Sequence, residues 1–425
     1  MLPRRLFGLL IILGLTASAC SLGAEVDPGK SGEDSKEIQE NVQSLTPSAE
    51  EKDSEDEFEN KSQEVCEDPF SGSSPSFNTG YWDKTNFCLH SVDYDTIISG
   101  GPPPDGIPPL DSPTFESVSS ADEWLEGVEP VISFQIGDDA RAYPLQIMTW
   151  HEIVNDRVGD KPVVVTFCPL CNTALAFERP EIDGEVLTFG TSGNLRNSDL
   201  VMYDRQTESW WQQFSGEAIV GDLTGTQLKF LPAAINSWAD FKEKYPDGKV
   251  LSIDTGFNRS YGTNPYVGYD DVNASPFLFR GEVDGQLRPM ERVVGVLGEE
   301  GEAHGYQLSY LQENRVINDQ LGGRSIAIFW KSGTASALDS RSIPEGDDVG
   351  STGVFAAEAD GQTLTFTAAE DGQFVDDQTG TTWDIFGQAL EGPLAGEELE
   401  SIPHHDTFWF VWSTFQGPES LQDLS

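Results

Sequence analysis

The run TFCPLCNTAL places Cys168 and Cys171 two residues apart. Two thiols at this spacing chelate a soft metal ion or close a small disulfide. Upstream, WHE contributes the imidazole of His151 and the carboxylate of Glu152. With His151 (or Glu152) completing the shell, Cys168 and Cys171 make a Cys2His-type metal site with one tetrahedral position open, suited to Zn²⁺ or Cu(I). A second reading is thiol–disulfide chemistry at Cys168 and Cys171, with Glu152 and Arg196 as further catalytic candidates, since a guanidinium lowers a thiol pKa. Arg196, Asn197, Ser198 and Asp199 form a polar RNSD cluster that suits a small anionic or polar substrate, or a turn. A third reading keeps the thiols as a structural disulfide within a non-catalytic binding module that uses Trp210, Trp211, Tyr261 and Tyr269, for which core packing is the plainer role. These residue types leave enzyme and carrier equally open. Asn172 stands where a haem c attachment needs His, and a second Cys-x-x-Cys is missing from the chain, which excludes a standard zinc ribbon. His404 and His405 are adjacent, so on a strand they point to opposite sides and do not share an ion. His90 and His304 have no evident partner.

The elements around the thiols are strands. VVVTF (163–167) precedes them and ALAFER (174–179) follows. CPLC therefore sits on a hairpin-like loop and not at the helix start that a thioredoxin motif requires. EVLTFG (185–190) is expected to pair with ALAFER. LQIMTWHEIVND (145–156) reads as one short helix, and AINSWADFKEKYP (234–246) as another, stopped by Pro246.

The chain also repeats itself. Residues 142–175 align with 305–338 without a gap, matching Tyr143 with Tyr306, Asn155 with Asn318, Asp156 with Asp319, Ala174 with Ala337 and Leu175 with Leu338. Farther on, Trp211 answers Trp383 and Phe214 answers Phe386. Residues common to both copies are explained by folding. In the second copy His151, Glu152, Cys168 and Cys171 become Asn314, Arg315, Lys331 and Thr334, and the stretch holding RNSD is shorter. The site is therefore assigned to the first copy. The expected fold is α+β and β-rich, with two tandem homologous lobes: unit 1 at 129–253, an ordered inter-repeat loop at 254–291 and a degenerate unit 2 at 292–417.

Before the lobes come a basic start, an apolar run at 6–15 and small residues leading to Cys20, the pattern of a lipoprotein signal over 1–20 with Cys20 as lipidation site. Residues 21–65 read as a disordered acidic tether and 66–128 as an ordered lead-in whose Cys66 and Cys88 form a disulfide. The expected location is extracytoplasmic, anchored to the membrane by lipid, or secreted if Cys20 is not lipidated. A formal charge of −47 argues against nucleic acid as partner; a small molecule or metal is the expected ligand.

At TFCPLCNTALAFER, FGTSGNLRNSDLVMYDRQTESWWQQFSGEAIVG and NPYVGYD the chain resembles a bacterial and archaeal family known as domain of unknown function 3179. The resemblance implies an envelope or secreted protein with WHE, CPLC and NSDL stretches, here Trp150–Glu152, Cys168–Cys171 and Asn197–Leu200. It implies no reaction.

Overall fold

Runs of β-branched and aromatic residues separated by Gly, Asp and Asn turns make a chain of short strands the natural solution for this sequence. The computed structural model describes residue 66 and residues 69–424, and is β-rich with few helices. The signal segment, the tether and Cys20 lie outside the described residues. Cys66 and Cys88 are joined by a disulfide. No helix among the described residues is long and apolar enough to cross a membrane.

The order of elements occurs twice. The strands Pro130–Ile136 and Asp139–Pro144, the helix Leu145–His151, and the strands Ile153–Val158 and Lys161–Cys168 are followed later by Arg292–Leu297, Ala303–Gln307, Leu308–Asn314, Val316–Leu321 and Arg324–Lys331. Each series closes with a strand that returns to its first strand and runs into a helix. These are Ala233–Ser237 with Trp238–Lys244, and His404–Phe408 with Trp409–Gln416. The shared residues make the same bonds in both series. Tyr143 donates to Asp156 and Tyr306 to Asp319, each at 2.7 Å. Asn155 holds both backbone groups of Phe189 as Asn318 holds those of Phe366. The indoles of Trp211 and Trp383 donate to Asp204 and Asp376.

Several local expectations change. The helix 145–156 stops at His151, because Glu152 takes φ 58° and the β-branched Ile153 and Val154 enter a strand. Residues 233–237 are strand, and helix begins only at Trp238, capped by the Ser237 hydroxyl, which accepts from Asp240 N–H. The strand Thr173–Glu178 pairs with Lys161–Cys168 and Lys229–Leu231 and not with 185–190, because the turn at Asp183–Gly184 closes only the two-residue ladder Glu181–Ile182/Glu185–Val186. The gap-free alignment fails past Lys331. The strand paired with Arg324–Lys331 is Ser351–Ala356, and Ala337–Leu338 lie in the long connection before it.

The two series share a core. Trp211, Phe214, Cys168 and Cys171 belong to the same apolar cluster as Val293, Trp409 and Trp412. The loop 254–291 is ordered and lies against the first series through Tyr261, Tyr266 and Tyr269.

Candidate metal centre

Cys168 ends one strand and Thr173 opens its antiparallel partner, so Pro169–Asn172 form the tip of a hairpin. Cys171 N–H donates to Cys168 O and Asn172 N–H to Pro169 O, with Asn172 at φ 55°. This is the loop expected from sequence, and its tight turn brings both sulfurs to one side. The second series fastens it. Thr407 Oγ1 and Phe408 N–H both donate to Cys171 O, at 3.0 and 3.2 Å. Tyr269 Oη donates to Leu170 O at 3.0 Å.

A second hairpin delivers the third group. Arg196 and Asp199 are paired across a two-residue turn in which Asn197 and Ser198 have φ 52° and 67°, the geometry of the type I′ turns that match the twist of paired strands. The RNSD cluster is thus a turn, and it also carries a functional group inward. Asp199 Oδ1 accepts from Cys171 Sγ at 3.2 Å. Its Oδ2 accepts from Phe214 N–H at 3.0 Å and from the Gln212 amide. Cys168 Sγ, Cys171 Sγ and an Asp199 oxygen all lie within 4.8 Å of one another, and this buried group can hold a metal ion. A tetrahedral ion with ordinary Zn–S and Zn–O bonds would set neighbouring donors roughly 3.5 Å apart, within reach of this arrangement.

The imidazole is elsewhere. His151 Nδ1 donates to Pro108 O at 2.7 Å, which leaves Nε2 to accept from Tyr261 Oη at 2.6 Å. Both ring nitrogens are engaged there, and the residue that the fold groups with the two sulfurs is Asp199. Glu152 is the neighbour that does approach. It is buried, hydrogen-bonded to Tyr266, and its charge is felt by Cys168. Arg196 does not reach the sulfurs. It donates to Gln212 Oε1 at 3.2 Å and to Thr96 Oγ1, orienting the amide that holds Asp199. Ser198 donates to Phe277 O and its carbonyl faces Cys171 Sγ.

Burial dominates the electrostatics. Removed from water, an acid resists ionising. Burial pushes Asp199 up to about 6, with the Phe214 and Gln212 hydrogen bonds holding it from rising further. Burial pushes Glu152 up to about 8, opposed by Tyr266 and reinforced by the Asp199 charge. Both thiols are raised, Cys171 well above the usual range, mainly by burial. Such thiols are poor nucleophiles as they stand. A bound cation would reverse every one of these shifts.

The remaining candidates are structural. Trp210 is packed among Phe77, Trp82 and Phe87, and Trp211 is tied to Asp204. His404 turns toward Thr352 and His405 toward Phe214 O, where burial lowers its pKa to about 4, so they share no ion. His90 bonds Val92 O, and His304 bonds Asp319 and Tyr306. Asp199 was legible in sequence as a polar candidate but not as a ligand. The signal lay in the turn: reading Asn197–Ser198 as a two-residue loop pairs Arg196 with Asp199 in register.

No curated protein matches the chain, and no solved structure matches it. Over residues 104–420 the chain belongs to the family described as Protein of unknown function (DUF3179).

Proposed function

We propose that this is an extracytoplasmic protein, lipid-anchored through Cys20, that binds a soft metal ion through Cys168, Cys171 and Asp199. The observation that carries the reading is the burial of two thiols and a carboxylate at one point, beside the carboxylate of Glu152, with no cation in direct contact. A carboxylate in the shell fits Zn²⁺ better than Cu(I), which prefers sulfur and imidazole. Glu152 is the candidate fourth donor. When bound, the ion would supply the positive charge that keeps both thiols ionised. With Cys171 and Asp199 at 0 % exposure, the closed surroundings support an ion that fastens the CPLC turn.

The bonds shared by the two series support an origin by duplication, the second copy having kept the scaffold and lost the ligands. The test is elemental analysis of the purified soluble chain. About one equivalent of zinc is expected for the wild type, and little for Cys168→Ser, with a chelator lowering the melting temperature of the wild type alone. No metal in the wild type under aerobic and anaerobic purification would overturn the reading.

One observation favours a second reading. The Cys171 thiol points at Asp199 Oδ1, an acceptor poised near neutral pH. In this reading the dithiol becomes a disulfide and passes two electrons to a partner disulfide, whose two sulfurs leave as thiols; Asp199 takes the Cys171 proton as the thiolate attacks and hands it on to a leaving sulfur, and the Cys168 proton goes to the other. A metal-free protein whose thiols are oxidised reversibly by glutathione disulfide, with the rate lost in Asp199→Asn, would establish it in place of the metal.

A further inference from the structure

A cavity of about 530 Å³ lies apart from the thiols, between the strand Ala233–Ser237 of the first series and the strand Ser351–Ala356 of the second. Its volume falls within the roughly 300–1,000 Å³ of small-molecule sites. The strand register puts Ser133 directly opposite Ala234, and Asn236 two residues farther along the same face, so the three present one surface to the cavity. Tyr245, Phe355 and Phe386 add apolar and aromatic walls, and the exposed Glu398 and Glu400 mark the solvent side.

The surface is unusual in what it leaves unbonded. Asn236 is 1 % exposed, yet neither its Nδ2 nor its Oδ1 has a hydrogen-bond partner among the described residues, and Ser133 Oγ is likewise unpaired. Buried side-chain amides are normally satisfied, because the alternative forfeits the hydrogen bonds they made to water. An interior strand position facing a cavity is a costly place for Asn unless something arrives to complete it. The missing partner must offer a donor and an acceptor side by side, which is the pattern of another amide. The acidic rim disfavours an anion.

We propose that this cavity binds a small uncharged molecule bearing an amide on an apolar or aromatic body, read by Asn236 and Ser133. Both series build the wall, so the second series, which lacks the metal ligands, contributes half of a binding site. The proposal is independent of the metal centre, because none of Cys168, Cys171 and Asp199 lines this cavity.

The test uses N-acetylphenylalaninamide as probe, with N-acetylphenylalanine as its anionic counterpart, titrated into the full soluble chain by calorimetry or NMR. Saturable binding of the amide below about 1 mM is expected, with the carboxylate at least about tenfold weaker. Asn236→Leu is expected to weaken the amide about tenfold or more while raising the melting temperature of the ligand-free protein, since it removes the unpaired amide. Ala234→Trp, which fills the cavity from the same sheet face and leaves the Asn236 amide in the chain, abolishes binding and keeps the test decisive if Asn236→Leu does not fold. No saturable binding by the amide, or equal binding in the wild type and the folded variants, overturns the proposal.

Discussion

Residues 130–244 and 292–416 use the same succession of strands and helices and the same buried Tyr–Asp, Asn–backbone and Trp–Asp bonds. They differ where chemistry would occur. In the first series the central hairpin closes over four residues and presents two thiols. In the second, Lys331 stands at the end of the matching strand and the chain detours through 332–350 before returning. Lys331 Nζ donates to Asp240 Oδ1 at 2.5 Å, reaching into the helix of the first series. The hairpin that carries Asp199 spans Phe189–Arg196 and Asp199–Asp204, whereas its counterpart has only Phe366–Ala368 and Phe374–Asp376. Even the strained step after the helix is common to both, with Glu152 at φ 58° and Arg315 at φ 65°. The backbone there belongs to the fold, and only the side chain separates a site from a scaffold.

The largest effect expected of this contrast is on metal content. Removing the proposed carboxylate donor by Asp199→Ala should weaken zinc by more than the 10–100-fold typical of supporting residues, measured by competition with a chromophoric chelator. An unchanged affinity would mean that Asp199 supports the sulfurs and does not bind the ion. Next comes the matched pair of aspartates, Asp156 and Asp319. Asp156 is bound by Arg141 and Tyr143, its side chain 7 % exposed, whereas Asp319 is 31 % exposed and meets Tyr306 and His304. Asp156→Ala leaves the Arg141 guanidinium to Asp139 alone and the buried Tyr143 hydroxyl without its acceptor, and should cost about 2 kcal/mol; Asp319→Ala, with solvent at hand, should cost about 1 kcal/mol. Urea denaturation of the two variants measures the difference, and equal losses would remove the distinction between a tightly built first series and a looser second.

Much of this contrast was legible in the residues. The β-rich class follows from runs such as VVVTF and SIAIFW, which lie inside the strands Lys161–Cys168 and Arg324–Lys331. The hairpin position of CPLC follows from the same runs. The helix ends did not, because Leu145–Asp156 has helical spacing of apolar residues throughout, and only a left-handed step at a glutamate divides helix from strand. Nor did the ligand set. His151 is next to Glu152 in sequence, but the helix end turns the two apart, His151 to Pro108 O and Tyr261, Glu152 to Tyr266. Proximity in sequence says nothing about which of two neighbours faces a loop formed later in the chain. The alignment beyond Lys331 misled for a related reason: a chance Ala–Leu match in a connection outscored the strand that actually pairs.

A further effect concerns the entry to each series. Glu129 precedes the first strand of the first series and Glu291 that of the second, each accepting through its carbonyl from the tryptophan that opens the closing helix, Trp238 or Trp409. Burial pushes Glu129 up to about 7, although Glu126 N–H and the Gln146 amide both donate to it. A carboxyl with a raised folded pKa binds its proton more tightly in the native than in the unfolded state. Its contribution is therefore present at low pH and is lost as pH rises from its unfolded value, near 4.3, through about 7. Wild-type stability should fall across that window by up to about 3 kcal/mol from this group. Glu129→Gln, which keeps the shape without the proton, should flatten that part of the profile; an unchanged slope would assign the pH dependence to other groups.

The smallest effect tests Lys331, which ends the strand matching that of Cys168. Lys331 lies 27 % exposed against Asp240 at 7 %, so losing the ammonium leaves a nearly buried carboxylate with the Ser351 hydroxyl, at 3.5 Å, as its remaining donor among the described residues. Lys331→Met preserves the aliphatic packing and removes the charge. A loss of about 1 kcal/mol is expected, less than for a fully buried pair because solvent reaches the lysine, with zinc content unaltered. Thermal denaturation and elemental analysis of one sample read both quantities. Lost stability with intact metal would make Lys331 a fastener between the two series, whereas lost metal would mean that the second series supports the thiol loop through this residue as well as through Thr407 and Phe408.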